Sequence, residues 1–348
     1  MAVNFIYLVC GAFLPYLLLE EKQVSLREII FALVFGLSLI MIYSFLNYAY
    51  LGFLPGTNSA LSRPFFKDHT IFSAVLALTV PLGFFQHSLA NDSRQKMQYK
   101  IWIVLMFLAI LISSSRAAWV SVILAWTLFF LIRAGLRLYQ LFFFILVIAS
   151  LIVLNLRSIE TYVYSNRNDS NRFQSSLKEQ ALSVTNITND VSNLERINRW
   201  KCALRMGRDM PLTGYGPGTY QFMYLPYQLN SEMTRISVQS QFYVKEGKGG
   251  TAHSEYLLSL AESGVPGLLS WFFLIFVIFI QSFFFIAGNA DRQKKYLATL
   301  LLTGLTSYFI HGFFNNFLNT INFGIYFWLM IGMLMFLFSK KEKDAAIA

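Results

Sequence analysis

Charged residues are scarce in this sequence. They make up 13% of its 348 residues, whereas ordinary soluble domains carry about 25%. Hydrophobic residues make up 56%, and the mean hydropathy is +0.52. This composition excludes a soluble enzyme with a large core and predicts an all-α, polytopic integral membrane protein. The 35 Phe and 18 Tyr suit lipid-facing surfaces and aromatic belts at the membrane interface.

Several kinds of chemical site are also missing. Of the two cysteines, Cys10 lies in an apolar run and Cys202 in a polar stretch, so we predict no disulfide between them. The sequence has no His/Cys spacing for zinc and no close Asp pair for magnesium, so we expect neither a metal nor a cofactor. Gly214-Tyr-Gly-Pro-Gly218 is not a dinucleotide-binding loop, because it follows a predicted helix and contains Pro217. The N-terminus also lacks the basic n-region of a signal peptide. We find no internal repeat in the sequence.

Long apolar runs predict the membrane-spanning helices. A span needs roughly 20 apolar residues, and on that basis we expect about nine spans, within a range of about 8–11. The first and fourth runs are short. The candidates are 5–19, 29–47, 70–88, 101–115, 117–132, 139–156, 265–287, 296–315 and 321–338.

The positions of Lys and Arg predict the orientation of these spans. If the C-terminal tail is cytoplasmic, alternation places the clustered cations on the cytoplasmic side, so the net charge of +10 reports topology and no nucleic-acid partner is expected. An odd number of spans would put the N-terminus outside, so we expect an absent N-terminal portion or one re-entrant run. The cations predicted to be cytoplasmic are Lys22, Arg27, Arg94, Lys96, Lys100, Arg133, Arg137, Arg292, Lys294, Lys295, Lys340, Lys341 and Lys343.

This topology divides the chain into three regions. We predict N-terminal transmembrane helices in 1–156, one large outer loop with short helices in 157–255, and C-terminal transmembrane helices with a cytoplasmic tail in 256–348.

Within the loop, 194–209 is predicted to be helical, with Asn193 as its cap and Pro211 beyond its end. Ile197, Trp200 and Leu204 would share one face of that helix.

Three arginines are candidates for binding an anion. Arg116 follows three serines where an apolar run meets the outer surface, and an arginine there is costly unless it is paired, exposed to water or functional. The alternative for Arg116 is a snorkelling interfacial residue. Arg196 and Arg199 lie three apart on the predicted helix, and the alternative for them is a solvated helix face. Guanidinium groups bind phosphate oxygens bidentately, so they could hold a diphosphate without a metal.

His253 is the candidate base, because histidine is the side chain best suited to accept a proton near neutral pH. A lone histidine is also often only a structural polar residue. Glu255 and Glu262 follow it and are predicted to contact substrate; Glu262 could also orient His253 or Arg116, or simply be a capping acid.

Aromatic side chains near these residues are predicted to contact a sugar. The glycine-rich turn at 214–218 is expected to bring Tyr215 and Tyr220 over the site, where their ring faces could stack on sugar rings. Trp200, beside the paired arginines, is placed with them among the substrate-binding candidates.

Four motifs in order resemble the O-antigen ligase and polymerase superfamily, over residues from about 60 to 340. They are Ser113-Ser-Ser-Arg116, Arg196-x-x-x-Trp200, Pro211-Leu-Thr-Gly-Tyr-Gly-Pro-Gly218 and His253-Ser-Glu-Tyr-Leu followed by Ala261-Glu-Ser-Gly. The resemblance implies a metal-independent glycosyltransferase of the bacterial inner membrane with a periplasmic site, most like an O-antigen ligase. It would transfer a glycan from an undecaprenyl-diphosphate carrier to an acceptor hydroxyl on the lipid A core, in lipopolysaccharide biosynthesis.

The resemblance also assigns roles. Arg116 and Arg196 map onto the family's two arginines and His253 onto its histidine, with Arg199 as an extra arginine that could replace Arg196 if the helix register differs. Polymerases and protein O-oligosaccharyltransferases belong to the same superfamily, and the single long outer loop favours a ligase. A transporter or flippase of an anionic lipid or solute is the alternative from another class, although transporters usually show mid-membrane charges and repeats. A non-catalytic scaffold would leave the arginines and His253 unexplained.

Overall fold

The computed structural model describes residues 6–52, 61–137, 191–234 and 249–339, together with a few isolated positions between them. Within those residues all regular structure is helical, which confirms the predicted all-α class. The helices are α1 (Ile6–Glu20), α2 (Leu26–Tyr50), α3 (His69–Leu89), α4 (Ser93–Ile112), α5 (Arg116–Arg133), α6 (Val191–Asp209), α7 (Tyr220–Met223), α8 (Glu255–Ala287), α9 (Arg292–His311) and α10 (Ile321–Phe338).

Six of the described helices are long and apolar enough to cross a membrane, namely α2, α3, α4, α5, α8 and α10. The chain is therefore a multi-pass membrane protein. The shorter α1 and the more polar α9 match two further predicted spans in position. The predicted span at 139–156 and the tail cations beyond residue 339 lie largely or wholly outside the described residues.

The chain forms two compact units. Unit 1 comprises Met1–Arg133, Val277–His311 and Phe317–Ala348, and unit 2 comprises Ala134–Phe276 and Gly312–Asn316. This division differs from the three consecutive regions drawn from topology, which stay a prediction about the membrane.

In unit 1, α3 is the central helix, with 83% of its most apolar window buried. Helix α9 packs against both α3 and α5. A side chain at Gly304 would lie 2.3 Å from the carbonyl oxygen of Leu78, so glycine permits the close approach of α9 to α3. Buried hydroxyls in both helices bond to their own backbone, as Thr79 does to Val75 at 2.7 Å, which makes these polar residues compatible with an apolar interior.

In unit 2, α6 carries Arg196, Arg199 and Trp200, and its observed start corrects one prediction. The helix begins at Val191, so Asn193 lies inside it and is not its cap. The predicted apolar face is not the buried one, because Leu204 is 42% exposed. The buried side chains of α6 are instead Leu194, Glu195, Asn198, Arg199, Cys202, Ala203 and Met206.

Candidate functional site

A buried ion pair fixes the middle of α6. The guanidinium Nε of Arg199 donates to the Glu195 carboxylate at 2.8 Å, and its Nη1 donates to the Gly249 carbonyl at 2.7 Å. The same guanidinium lies 4.0 Å from the centre of the Tyr224 ring. Burial alone would lower the pKa of Arg199, but the negative charge of Glu195 outweighs it and holds that pKa above its usual value. Both side chains are almost inaccessible, so this ion pair stabilises the fold of unit 2, and the contact of Arg199 with substrate stays a prediction.

A second clamp joins α6 to the segment around Glu232. The Arg205 guanidinium makes two bonds to the Glu232 carboxylate, at 2.7 and 2.6 Å, and a third to the Tyr227 carbonyl at 2.8 Å. Burial would raise the pKa of Glu232, but these bonds from Arg205 lower it below its usual value. The side-chain amide of Asn198 also donates to the Glu232 carbonyl. Two adjacent turns of α6 are thus held rigidly from one side.

The other side of α6 meets the His253 segment. The indole Nε1 of Trp200 donates to the backbone carbonyl of His253 at 3.2 Å. His253 has a backbone φ of 51°, in the left-handed region that few residues other than glycine, asparagine, aspartate and histidine adopt. Both residues are half-buried, as is Arg196, one turn before Trp200 on α6. The structure therefore groups Arg196, Trp200 and His253 within unit 2.

Sequence reasoning missed a short segment, Gly312–Asn316, that supports His253. We predicted a span to residue 315, but α9 ends at His311 and the next five residues belong to unit 2. The N–H of Glu255 donates to the Gly312 carbonyl at 2.8 Å, and Thr251 bonds to Asn316. The two asparagines at 315 and 316, directly after an apolar run, are the only sequence feature that marks this segment.

The glycine-rich turn is built onto the first turns of α8. The N–H of Tyr215 donates to the Ala261 carbonyl at 3.0 Å, and the Glu262 carboxylate accepts the N–H groups of Gly218 and Tyr220 at 2.8 and 3.1 Å. Glu262 is buried and Glu255 is buried at the start of α8. The carboxylate of Glu262 therefore holds the turn, and its contact with substrate stays a prediction.

Two glycines allow the turn and α8 to meet. Gly214 has φ 61°, and a side chain there would lie 2.3 Å from the carbonyl carbon of Glu262. Gly264 has φ 67° and interrupts α8, and a side chain there would lie 2.5 Å from the Pro211 carbonyl oxygen. The motifs Pro211–Gly218 and Ala261–Gly267 are thus two halves of one backbone junction.

We expect Gly214→Ala to destabilise unit 2 more than Gly218→Ala. Both glycines have positive φ, so each alanine costs about 1–2 kcal/mol in backbone strain. Only Gly214 also faces backbone within 4 Å, and that overlap should add about 1–3 kcal/mol. Thermal unfolding of the purified variants in detergent measures the difference. Equal shifts for the two variants would contradict the role of the junction.

The two tyrosines predicted to contact a sugar, Tyr215 and Tyr220, differ in burial. Tyr220 is buried, stacks on Tyr224 at 5.6 Å and donates its hydroxyl to the Arg199 carbonyl at 2.9 Å. Its ring is almost completely buried, and its stacking on a sugar stays a prediction. Tyr215 is half-buried, and its hydroxyl bonds to both Asp209 and Tyr227. The hydrogen bond to Asp209 raises the pKa of the Tyr215 phenol and keeps it neutral.

Arg116 belongs to unit 1, where it begins α5 and is half-buried. The serines before it shape the turn: Ser113 is buried and donates its hydroxyl to the Ile110 carbonyl at 2.7 Å, and Ser114 has φ 57°. Trp119 donates its indole N–H to the same carbonyl at 3.0 Å. The turn that carries Arg116 is therefore tightly bonded to the end of α4.

In the part of the chain that the structure describes, no group of three or more His, Cys, Asp or Glu side chains could hold a metal ion. Among the described charged groups of unit 2, Glu195 and Glu232 form ion pairs with Arg199 and Arg205 of α6.

The model of the family described as O-antigen ligase matches residues 101–272. The matched region contains Arg116, all of α6, the glycine-rich turn and His253. The match supports the O-antigen ligase superfamily, and with it membrane glycosyl transfer in O-antigen or polysaccharide biosynthesis. No curated protein matches the chain.

Proposed function

We propose that the protein is a membrane glycosyltransferase of the O-antigen ligase type. It transfers a glycan from an undecaprenyl-diphosphate carrier to an acceptor hydroxyl, with a sugar of the lipid A core as the acceptor. The site faces the periplasm of a bacterial inner membrane, and the reaction needs no metal.

One observation carries this proposal, the hydrogen bond between the Trp200 indole and the His253 carbonyl. It ties the helix that presents Arg196 to the segment that presents His253. A cation for the donor's diphosphate and a base for the acceptor are thereby held in one unit, as glycosyl transfer requires.

The two arginines are proposed to bind the diphosphate. Arg196 is half-buried on α6, whereas the side chain of the neighbouring Arg199 is almost inaccessible, so Arg196 is the better donor ligand of the two. Arg116 is assigned the same function by the resemblance and by the chemistry of its guanidinium group. Both cations would stabilise the charge that builds on the leaving diphosphate.

His253 is proposed to act as the general base. It accepts the proton of the acceptor hydroxyl while the hydroxyl oxygen bonds to the anomeric carbon of the glycan. The bond from that carbon to the diphosphate oxygen breaks, and undecaprenyl diphosphate leaves with the electron pair. Direct displacement inverts the anomeric carbon and forms no covalent intermediate with the enzyme.

The test is the lipopolysaccharide banding pattern of a strain that lacks the gene, complemented with the wild-type gene. We expect loss of the high-molecular-weight ladder in the mutant, with full-length glycan accumulating on the carrier, and its return on complementation. A ladder collapsed to one repeat would instead identify a polymerase. An unchanged ladder would contradict the ligase and leave glycan transfer to protein, or transport of an anionic lipid.

A further inference from the structure

A cavity of about 450 Å³ lies within unit 1, where three helices end on the same side. Its lining includes Ser88 near the end of α3, Arg133 at the end of α5, and Arg292 at the start of α9. Sites for small ligands usually enclose about 300–1,000 Å³, so the cavity has the size of a binding site. None of the residues proposed for glycan transfer lines it.

The lining is strongly cationic. Arg133, Arg292 and Lys295 all face the cavity, and none of the described residues that line it is acidic. The carboxylate of Asp291, next in sequence to Arg292, is not among them and accepts the N–H of Gln293 at 2.7 Å. Three cations without an acidic partner in the lining favour an anionic ligand.

Arg133 is held in place by aromatic rings. Its guanidinium carbon lies 5.7 Å from the centre of the Tyr296 ring and 5.8 Å from that of Phe129, both within cation–π range. A guanidinium held in this way keeps its N–H groups for an anion, and it binds phosphate oxygens in pairs.

Two apolar side chains of α5 close to Arg133 in sequence are exposed. Phe130 and Leu131, in the last turn of α5 before Arg133, are 62% and 40% exposed. Side chains of this kind at the end of a membrane helix contact acyl chains, so a ligand in the cavity would have hydrocarbon beside it. The Lys and Arg pattern predicts that this end of the helices is cytoplasmic.

We propose that this cavity binds the phosphate group of an anionic phospholipid. Basic pockets between membrane helices on the cytoplasmic side are suited to phospholipid head groups. The same cations would also accept free phosphate, and the exposed Phe130 and Leu131 favour the lipid as its source. Such a site is separate from the transfer reaction.

The experiment compares two triple variants of the full chain in neutral detergent. The cavity variant is Arg133→Gln with Arg292→Gln and Lys295→Gln. The control variant is Arg94→Gln with Lys96→Gln and Lys100→Gln, which removes three exposed cations of α4 that do not line the cavity. Native mass spectrometry follows binding of phosphatidylglycerol, with phosphatidylcholine as the lipid without net charge. Inorganic phosphate is tested separately by its effect on the thermal unfolding temperature.

We expect the Kd for phosphatidylglycerol to rise at least about tenfold in the cavity variant and far less in the control variant. If phosphate stabilises the wild type but not the cavity variant, and phosphatidylglycerol binds no better than phosphatidylcholine, the site takes soluble phosphate. Equal weakening in both triple variants, or none in either, would overturn the proposal. Should the cavity variant not fold, the single variant Arg292→Gln replaces it. An unchanged Kd for phosphatidylglycerol in that variant would also overturn the proposal.

Discussion

Replacing His253 by asparagine should reduce glycan transfer by about 10²–10⁴-fold, the contribution typical of a general base, while the protein stays folded. Asparagine is chosen because His253 has φ 51°, a conformation that asparagine tolerates and that costs alanine about 1–2 kcal/mol. The backbone carbonyl that accepts the Trp200 bond is retained. A loss of transfer in this variant therefore reports the imidazole and not the fold of the loop.

The measurement is transfer of labelled glycan from the purified carrier-linked donor by reconstituted protein, normalised to the folded amount. Trp200→Phe is the matched control, since it keeps the imidazole and removes the indole N–H that positions it. We expect a smaller loss in that control. Near-normal transfer by the asparagine variant would remove His253 as the base, whatever the control shows.

The sequence predicted the helices well and their ends less well. Long apolar runs determine where helices cross a membrane, because the bilayer requires both length and hydrophobicity. Such runs do not determine where a chain leaves the helix, so the predicted span to residue 315 missed the end of α9 at His311. Residues 312–316 are held in unit 2 by the backbone bond from Glu255 to Gly312 and the side-chain bond between Thr251 and Asn316, and neither bond leaves a hydrophobic periodicity in the sequence.

Helix α6 shows why apolar periodicity failed within the loop. Its buried face includes Glu195 and Arg199, a pair of opposite charges one turn apart. Hydrophobic patterning assigns such residues to the surface, whereas in unit 2 they neutralise each other and satisfy backbone and hydroxyl groups around them. Leu204 lies on the apolar face that the periodicity predicts, and it is nevertheless exposed.

The motifs contain two kinds of residue: glycines that the backbone geometry requires, and polar side chains that are proposed to take part in the reaction. Pro211–Gly218 and Ala261–Gly267 are explained by backbone geometry, since Gly214 and Gly264 each lie against the other segment. Arg196 and His253 are instead polar side chains that stay half-buried, and the proposed chemistry is assigned to them by their charge and their proton affinity. A sequence alone could not separate these cases, because a glycine required for packing and a residue required for catalysis look alike in a motif.

Replacing Arg196 and Arg199 separately should have opposite effects on stability and transfer, although the sequence alone allowed either arginine to be the one that binds the diphosphate. We expect Arg199→Met to lower the free energy of unfolding by about 3–5 kcal/mol, because it leaves the Glu195 carboxylate buried without its cation. It also removes the bond to Gly249 and the contact with Tyr224. Arg196→Gln, on a half-buried position of the same helix, should change stability little and abolish transfer.

A double variant distinguishes a structural role from a catalytic one. If Arg199 acts through its pair, Glu195→Gln combined with Arg199→Met should recover part of the lost stability, since an uncompensated buried charge costs more than the absence of the whole pair. Thermal unfolding and transfer are measured on all variants. Should Arg199→Met unfold like the wild type yet fail to transfer glycan, Arg199 would be the donor ligand, and the assignment of the two arginines would have to be exchanged. Partial recovery of both stability and transfer in the double variant would leave Arg196 as the arginine of α6 that meets the diphosphate.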